Sequence, residues 1–275
     1  MKRLLFAVFY TLGITRFAAW LNRRQVRILC YHGVTQRSVR SAQDPFGLHV
    51  RQDRFESQLD HLRRHYRIIS LQEYLTARRQ GRPLPHYAIV LTFDDGFRNF
   101  FTTAAPLLIK WNMPATIFII TDRTGDDQEA IPLDREWSPS DDESHLSWAE
   151  VQALKKKSHF AFGSHTCSHP TLSSLPPNQV EEELHNSYSV ITSRIRENGG
   201  IPLAYPKGAY SDSVIEQARS LGYICGLTTT AGLNDLKTEP FALRRILIGD
   251  DDHKAAFAAR VAGWVGWLRR SGRPG

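Results

Sequence analysis

Short runs of apolar and β-branched residues alternate with stretches of helical periodicity along almost the whole chain, and this alternation confines the fold to one class. A parallel strand buried on both faces reads as a continuous apolar run. Its parallel neighbour is reached through a crossover of a dozen residues or more, usually a helix. Seven such runs occur, at residues 26–31, 88–93, 115–120, 160–164, 201–205, 223–228 and 242–248. Around them a 3.6-residue period predicts helices at 53–65, 71–79, 99–111, 148–157, 178–197, 211–221 and 253–269. Ser147 with Glu150 three residues on has the form of a capping box, and Gly199-Gly200 closes the longest helix. The natural assembly is α/β: a distorted (β/α) barrel with about seven parallel strands, closed or nearly so, plus an N-terminal amphipathic helix.

A chain of 275 residues suits a single barrel domain, here 26–270, preceded by a segment at 1–25. With 41% hydrophobic and 23% charged residues, disorder, collagen and a coiled coil are excluded. Three cysteines, Cys30, Cys167 and Cys225, without a C-x-x-C pair give no support to a disulfide framework or a cysteine-built zinc site.

The net charge of +7 is concentrated at one end, because Lys2, Arg3, Arg16, Arg23, Arg24 and Arg27 lie in the first 30 residues with no acid among them. The rest of the chain shows no basic stripe interleaved with aromatics, so nucleic acid is not an expected partner. The uncharged stretch at 4–15 is short for a membrane span, and no small-residue cleavage site follows it. Retention is therefore expected rather than cleavage. The segment reads as a helix lying on an anionic membrane surface, which would make the protein membrane-associated through its N-terminus. The same pattern fits a helix packed on the domain, or an uncleaved anchor that tolerates Arg16. Residues 122–145 are rich in acids and read as a long surface loop, a lid over the site.

On this strand map the polar residues collect at the carboxyl ends of different strands: His32 after the first, Asp94 and Asp95 after the second, His165 and His169 after the fourth, Pro206 after the fifth. In a β/α barrel that rim is where active sites are built. Asp94-Asp95-Gly96 fits an Asx turn closed by glycine, but a turn needs one aspartate, and a second beside it is better explained by a cation. His165 and His169 are four apart, a spacing that one helical turn presents on one face, and a surface pair has the same spacing. Joined to Asp95, the histidines make a two-histidine, one-carboxylate set with open positions for water and substrate.

Thr92-Phe93-Asp94-Asp95-Gly96 together with Gly163-Ser164-His165-Thr166-Cys167-Ser168-His169-Pro170 resembles the polysaccharide deacetylases, carbohydrate esterase family 4, over roughly residues 27–250. The resemblance implies a distorted β/α barrel and one divalent metal, usually Zn²⁺, in an enzyme that removes N-acetyl groups from the amino sugars of a polysaccharide or a lipid-linked glycan. It implies Asp95, His165 and His169 as metal ligands and Asp94 as general base. Cys30-Tyr31-His32-Gly33 resembles the circularly permuted branch that includes poly-N-acetylglucosamine deacetylases, in which His32 is the general acid. The family's third motif, Arg-x-Pro-Tyr-Gly, is replaced here by Ala204-Tyr205-Pro206-Lys207-Gly208, so the arginine that orients the base is absent at that place. Arg245, on the last strand, is the candidate to replace it. Tyr205, Pro206 and Lys207 are the expected substrate-binding residues, with the Lys207 backbone N–H available to an oxyanion. Two other classes compete: a metallohydrolase of another ester class, and a non-catalytic carbohydrate-binding or assembly protein on the same scaffold.

Overall fold

The computed structural model describes residues 6, 9–36, 47–126, 132, 136, 138–157, 159–196 and 199–264. Helix α1 (Ile14–Leu21) leads into β1 (Arg27–Tyr31), followed by the short strands β2 (Val34–Thr35) and β3 (Val50–Arg51). Then come α2 (Gln52–His65), β4 (Arg67–Ile68), α3 (Leu71–Arg79), β5 (Ala88–Phe93), α4 (Ala105–Lys110) and β6 (Ala115–Ile119). The chain continues through α5 (Trp148–Lys155), β7 (Phe160–Ser164), α6 (Pro177–Ile195), β8 (Pro202–Ala204), α7 (Asp212–Ser220), β9 (Cys225–Ala231), β10 (Leu243–Leu247) and α8 (Lys254–Val261).

Seven strands close the barrel in the order β1-β10-β9-β8-β7-β6-β5, every pairing parallel, with β5 returning to β1 from Arg27↔Ile89 to Tyr31↔Phe93. All seven are the strands expected from the sequence. The distortion lies beside β5, whose upper end pairs with β6 at Thr92↔Thr116 and Phe93↔Ile117 while its lower end pairs with β4 at Arg67↔Ala88. Two-residue strands such as β4 and the β2–β3 pair carry no periodicity long enough to be read in advance.

Alternation along the strands builds the site. Ile28 and Val90 join the inner apolar cluster, whereas Leu29, Tyr31, Leu91 and Phe93 join the layer under the helices. The inward register therefore climbs from Ile28 through Cys30 to His32, and from Val90 through Thr92 to Asp94. Gly163 is required on β7 because a Cβ there would meet the Phe118 ring at 2.6 Å.

The capping box at Ser147 and Glu150 forms as expected, each side chain accepting from the other's backbone N–H. Three expectations need correction. The helix expected at 99–111 opens as a π-helical turn, Phe100–Ala104, and becomes α-helical only at α4, where Pro106 brings no N–H to the ladder. The helix expected at 253–269 ends at Val261, with Gly263 left-handed at φ 109°; residues 265–275 lie outside the described residues. The acidic stretch is not wholly a solvated loop: Asp141 is fully buried in its own cap with Ser138, and Asp142 accepts from Thr35 and Asn99 at 2.6 and 2.9 Å. That part folds down onto the rim, where the Leu146 N–H bonds the Gly96 carbonyl.

Candidate active site

Asp94 continues the inward register of β5, and its neighbours then leave the strand abruptly. Asp95 and Gly96 are both left-handed, at φ 69° and 67°, which turns two adjacent carboxylates in different directions. Holding a non-glycine residue there costs free energy and is common at functional sites. Asp94 points into the barrel and is gripped by Arg245 of β10: Nη1 donates to Oδ1 and Nη2 to Oδ2, both at 2.7 Å. Cys30 donates its thiol to the same carboxylate at 3.3 Å. Arg245 is itself aimed by Nε donating to the Thr228 carbonyl at 2.8 Å, where the β9–β10 register slips between Leu243 and Arg245.

Asp95 faces the two histidines. Its Oδ1 lies 3.4 Å from His165 Nε2 and 3.6 Å from His169 Nε2, and it is buried without a hydrogen bond. His165 donates Nδ1–H to the Ala204 carbonyl at 2.7 Å, which leaves the lone pair of Nε2 turned toward Asp95. Three ligand atoms, all within 4.8 Å of one another, thus converge. The 3.4 and 3.6 Å from Asp95 Oδ1 to the two imidazole nitrogens are close to the roughly 3.3 Å edge of a tetrahedron drawn with metal–ligand bonds of about 2.0–2.1 Å. The residues fit a divalent cation bound through two nitrogens and an oxygen.

The histidines do not lie on a helical turn, so the expectation that a helix presents them on one face is wrong. Residues 165–169 form a loop in which Thr166 and His169 are left-handed, at φ 67° and 69°. Side chains replace the missing helical hydrogen bonds: Thr166 N–H donates to Ser164 Oγ at 3.0 Å and His169 N–H to Thr166 Oγ1 at 3.1 Å. Glu183 of α6, which the sequence gave no reason to single out, accepts from the Cys167 and Ser168 N–H groups at 2.9 and 3.0 Å and from Ser168 Oγ at 2.6 Å. One carboxylate therefore pins the loop between the two imidazoles.

Burial alone would raise both aspartates, but charge overrides it. Arg245, His165 and His32 hold Asp94 down at about 2, and His165, His32 and His169 hold Asp95 far below the carboxylate range. Burial tends to lower His165, yet Asp94, Asp95 and the Ala204 carbonyl raise it above its ordinary value. His169 is pushed down to about 4 by burial and by His165. His32 stands at the end of β1, half-buried, its Nδ1 enclosed without a partner, and burial lowers its pKa against the pull of Asp95 and Asp94. Cys30, His32 and Asp94 also lie within ligating distance of one another. They do not make a second metal site, because the Arg245 guanidinium already balances the Asp94 charge and burial keeps the thiol protonated.

The three expected substrate residues separate. Tyr205 is fully buried, stacked on Tyr210 and donating its hydroxyl to the Phe241 carbonyl at 2.9 Å, so its side chain is a core element and cannot meet a ligand. Pro206 is buried at the start of the turn. Lys207 alone is open, left-handed at φ 57°, with Nζ bonded to Thr171 Oγ1 at 3.0 Å on the loop beyond His169. His145, missed in the sequence, stands at the rim on the folded-down acidic segment, its ring stacked on Phe97 and Nε2 buried without a partner.

A sequence profile described as polysaccharide deacetylase matches residues 81–226, over half of the chain. The chain belongs to the polysaccharide deacetylase family. A poly-β-1,6-N-acetyl-D-glucosamine N-deacetylase of Staphylococcus aureus is 26% identical over 227 residues, covering 79% of this chain and 72% of the relative. Among solved structures, the Streptococcus pyogenes deacetylase PplD, in complex with acetate, superposes with a TM-score of 0.72 at 25% identity, covering 86% of this chain and 98% of that one. The BpsB deacetylase domain from Bordetella bronchiseptica does so at 0.65 and 25%, covering 82% and 96%. This polysaccharide deacetylase domain thus has its seven-stranded barrel in common with them. The family generally uses a divalent metal, and Asp95, His165 and His169 are the donor set here that fits one.

Proposed function

We propose that this protein is a metal-dependent hydrolase that removes N-acetyl groups from the amino sugars of a glycan, with a β-1,6-linked N-acetylglucosamine polymer as the substrate class suggested by the staphylococcal relative. The observation that carries the reading is the pairing of two carboxylates with two environments: Asp95 open toward two imidazoles, Asp94 clamped by Arg245. A non-catalytic sugar-binding module has no use for that division. Zinc, held by Asp95, His165 and His169, would supply Lewis-acid polarisation of the acetyl carbonyl and a lowered pKa for water. Asp94 accepts a proton from the attacking water, and Arg245 fixes the direction of its oxygens. The Lys207 backbone N–H serves the developing oxyanion. His32, at the end of β1 beside Asp94, gives its proton to the leaving amine nitrogen. Acetate and a free amino sugar result.

The test is acetate release from a panel of N-acetylated oligosaccharides, including β-1,6-linked and lipid-linked ones, with and without chelator and added zinc. Chelator-sensitive release from an amino-sugar oligomer is expected. Release from none of them, with metal bound, would leave a binding role.

A further inference from the structure

Helix α1 is built inside out. Its small residues Thr15 and Ala19 are buried against the domain, while Phe17, Trp20 and Leu21 on the opposite side are 60%, 48% and 59% exposed, and Leu12 just before the helix is 69% exposed. Among the described residues the only other exposed large apolar side chain is Val190, at 37%. An ordinary surface helix turns these residues inward. The exposed rings stack on each other with centroids 5.9 Å apart, and the Arg23 guanidinium lies 4.4 Å over Trp20. No helix among the described residues is long and apolar enough to cross a membrane.

We infer that α1 is an interfacial docking face for an anionic lipid bilayer, seated at the end of the barrel remote from the catalytic rim. Charge selects this occupant. The first 30 residues hold six cations and no acid, although Arg27 is buried and unavailable to lipid. A second copy of the chain would bring the same positive face, and residues 265–275 bring Arg269, Arg270 and Arg273 without an acid, so neither is complementary. Beside the helix a cavity of about 310 Å³ is lined by Arg16, Arg64, His65 and Thr15, and Thr15 Oγ1 is buried there without a partner. A headgroup phosphate would give Thr15 Oγ1 the partner it lacks and add a second acceptor for Arg64, whose Nε is already paired with Asp60 at 2.8 Å.

The placement follows from topology. The Tyr87 N–H bonds the Arg23 carbonyl just below β5, and Asn22 bonds the Ala262 carbonyl at the end of α8. Both anchors sit at the N-terminal ends of the strands, whereas Asp94, Asp95 and His165 sit at the C-terminal ends. Five or six residues of strand separate the two levels by roughly 16–20 Å. If the catalytic reading above holds, the docked protein turns its rim away from the lipid, toward glycan extended from the surface.

The experiment uses the full chain and vesicles of phosphatidylcholine, alone or mixed with phosphatidylglycerol. Co-sedimentation with the anionic vesicles is expected, partly reversed by salt, and roughly tenfold or more weaker in F17S/W20S/L21S. R16E/R24E should lose the salt-sensitive part while keeping the same melting temperature. All three native cysteines are buried, so an environment-sensitive dye placed through Leu12→Cys or Ser174→Cys labels one site. Its emission should shift to the blue on vesicles at position 12 and not at 174. The inference is overturned if the intact chain does not bind anionic vesicles, or if the triple variant binds equally. It is also overturned if binding appears only after removal of 265–275, if the chain instead forms a dimer that the triple variant dissolves, or if the dye at 174 is the one that shifts. None of these readouts depends on acetate release, so they separate docking from catalysis.

Discussion

Two arginines are buried at opposite ends of this barrel, and they are held in opposite ways. Arg27, at the foot of β1, meets only neutral partners: Nε donates to the Val261 carbonyl at 2.9 Å, Nη1 to the Gln25 carbonyl at 2.6 Å, and Nη2 has none. Its guanidinium lies 5.6 Å over the Tyr66 ring, and burial lowers its pKa. Arg245, at the rim, is buried to the same degree, yet the Asp94 carboxylate raises its pKa against burial. The first joins β1 to the end of α8 and is structural. The second is half of an ion pair whose other half faces the chemistry. A buried charge becomes part of a site when its counter-charge is also at the mouth of the barrel.

The sharpest way to break this comparison is to remove the metal-binding carboxylate from the rim. Asp95→Ala and His165→Ala should each lose the metal entirely, measured by elemental analysis after dialysis, and with it the hydrolysis. Normal metal content in both would dissolve the assigned donor set. The arginines come next. Arg245→Met leaves Asp94 buried and unpaired, at a cost of about 3–5 kcal/mol in urea unfolding. Arg27→Met removes an unpaired charge and orphans two carbonyls, and should cost no more than about 1–2 kcal/mol with the reaction rate unchanged. Equal costs would mean that the two ends do not differ.

The Asp94 pair also predicts a pH signature. Its carboxyl is held at about 2 against an ordinary 3.8, so its stabilisation is complete above about pH 4 and fades as the pH falls toward 2. In Arg245→Met burial is left to raise the same carboxyl, so the gap in urea midpoint between wild type and variant should narrow as the pH falls toward 2 and keep widening above pH 4 until the unpaired carboxyl has ionised. A smaller effect is expected at Glu183, which touches no substrate. Glu183→Ala should weaken zinc by roughly 10- to 100-fold in chelator competition. Glu183→Gln, which keeps one acceptor oxygen, should recover part of the affinity, and unchanged affinity in Ala would make the loop self-supporting.

The strands were legible because each is a whole apolar run bounded by turn residues, and the rim was legible because the polar residues follow those runs. Arg245 could be nominated only by absence, since the expected arginine before Pro206 is missing. Its bidentate grip depends on a register slip between β9 and β10 that has no sequence signal. Conformation was the part that stayed hidden. The left-handed Thr166 and His169 are neither glycine nor asparagine, their local bonds to Ser164 and Thr166 form only once the loop has this shape, and Glu183 reaches it from α6. The expectation at Tyr205 fails for a related reason: the residue follows a strand ending at the rim, but its side chain turns into the core, where its hydroxyl bonds the Phe241 carbonyl. Sequence alone treats the six N-terminal cations alike, although Arg27 belongs to the interior.

The most direct measurement is acetate release by zinc-loaded Asp94→Asn, with metal content and melting temperature determined on the same sample. Asparagine keeps the shape beside Arg245 and removes the base. One metal per chain, a folded protein and a rate roughly two to four orders of magnitude below wild type are the predicted result. A folded, metal-replete variant hydrolysing at close to the wild-type rate would contradict the account.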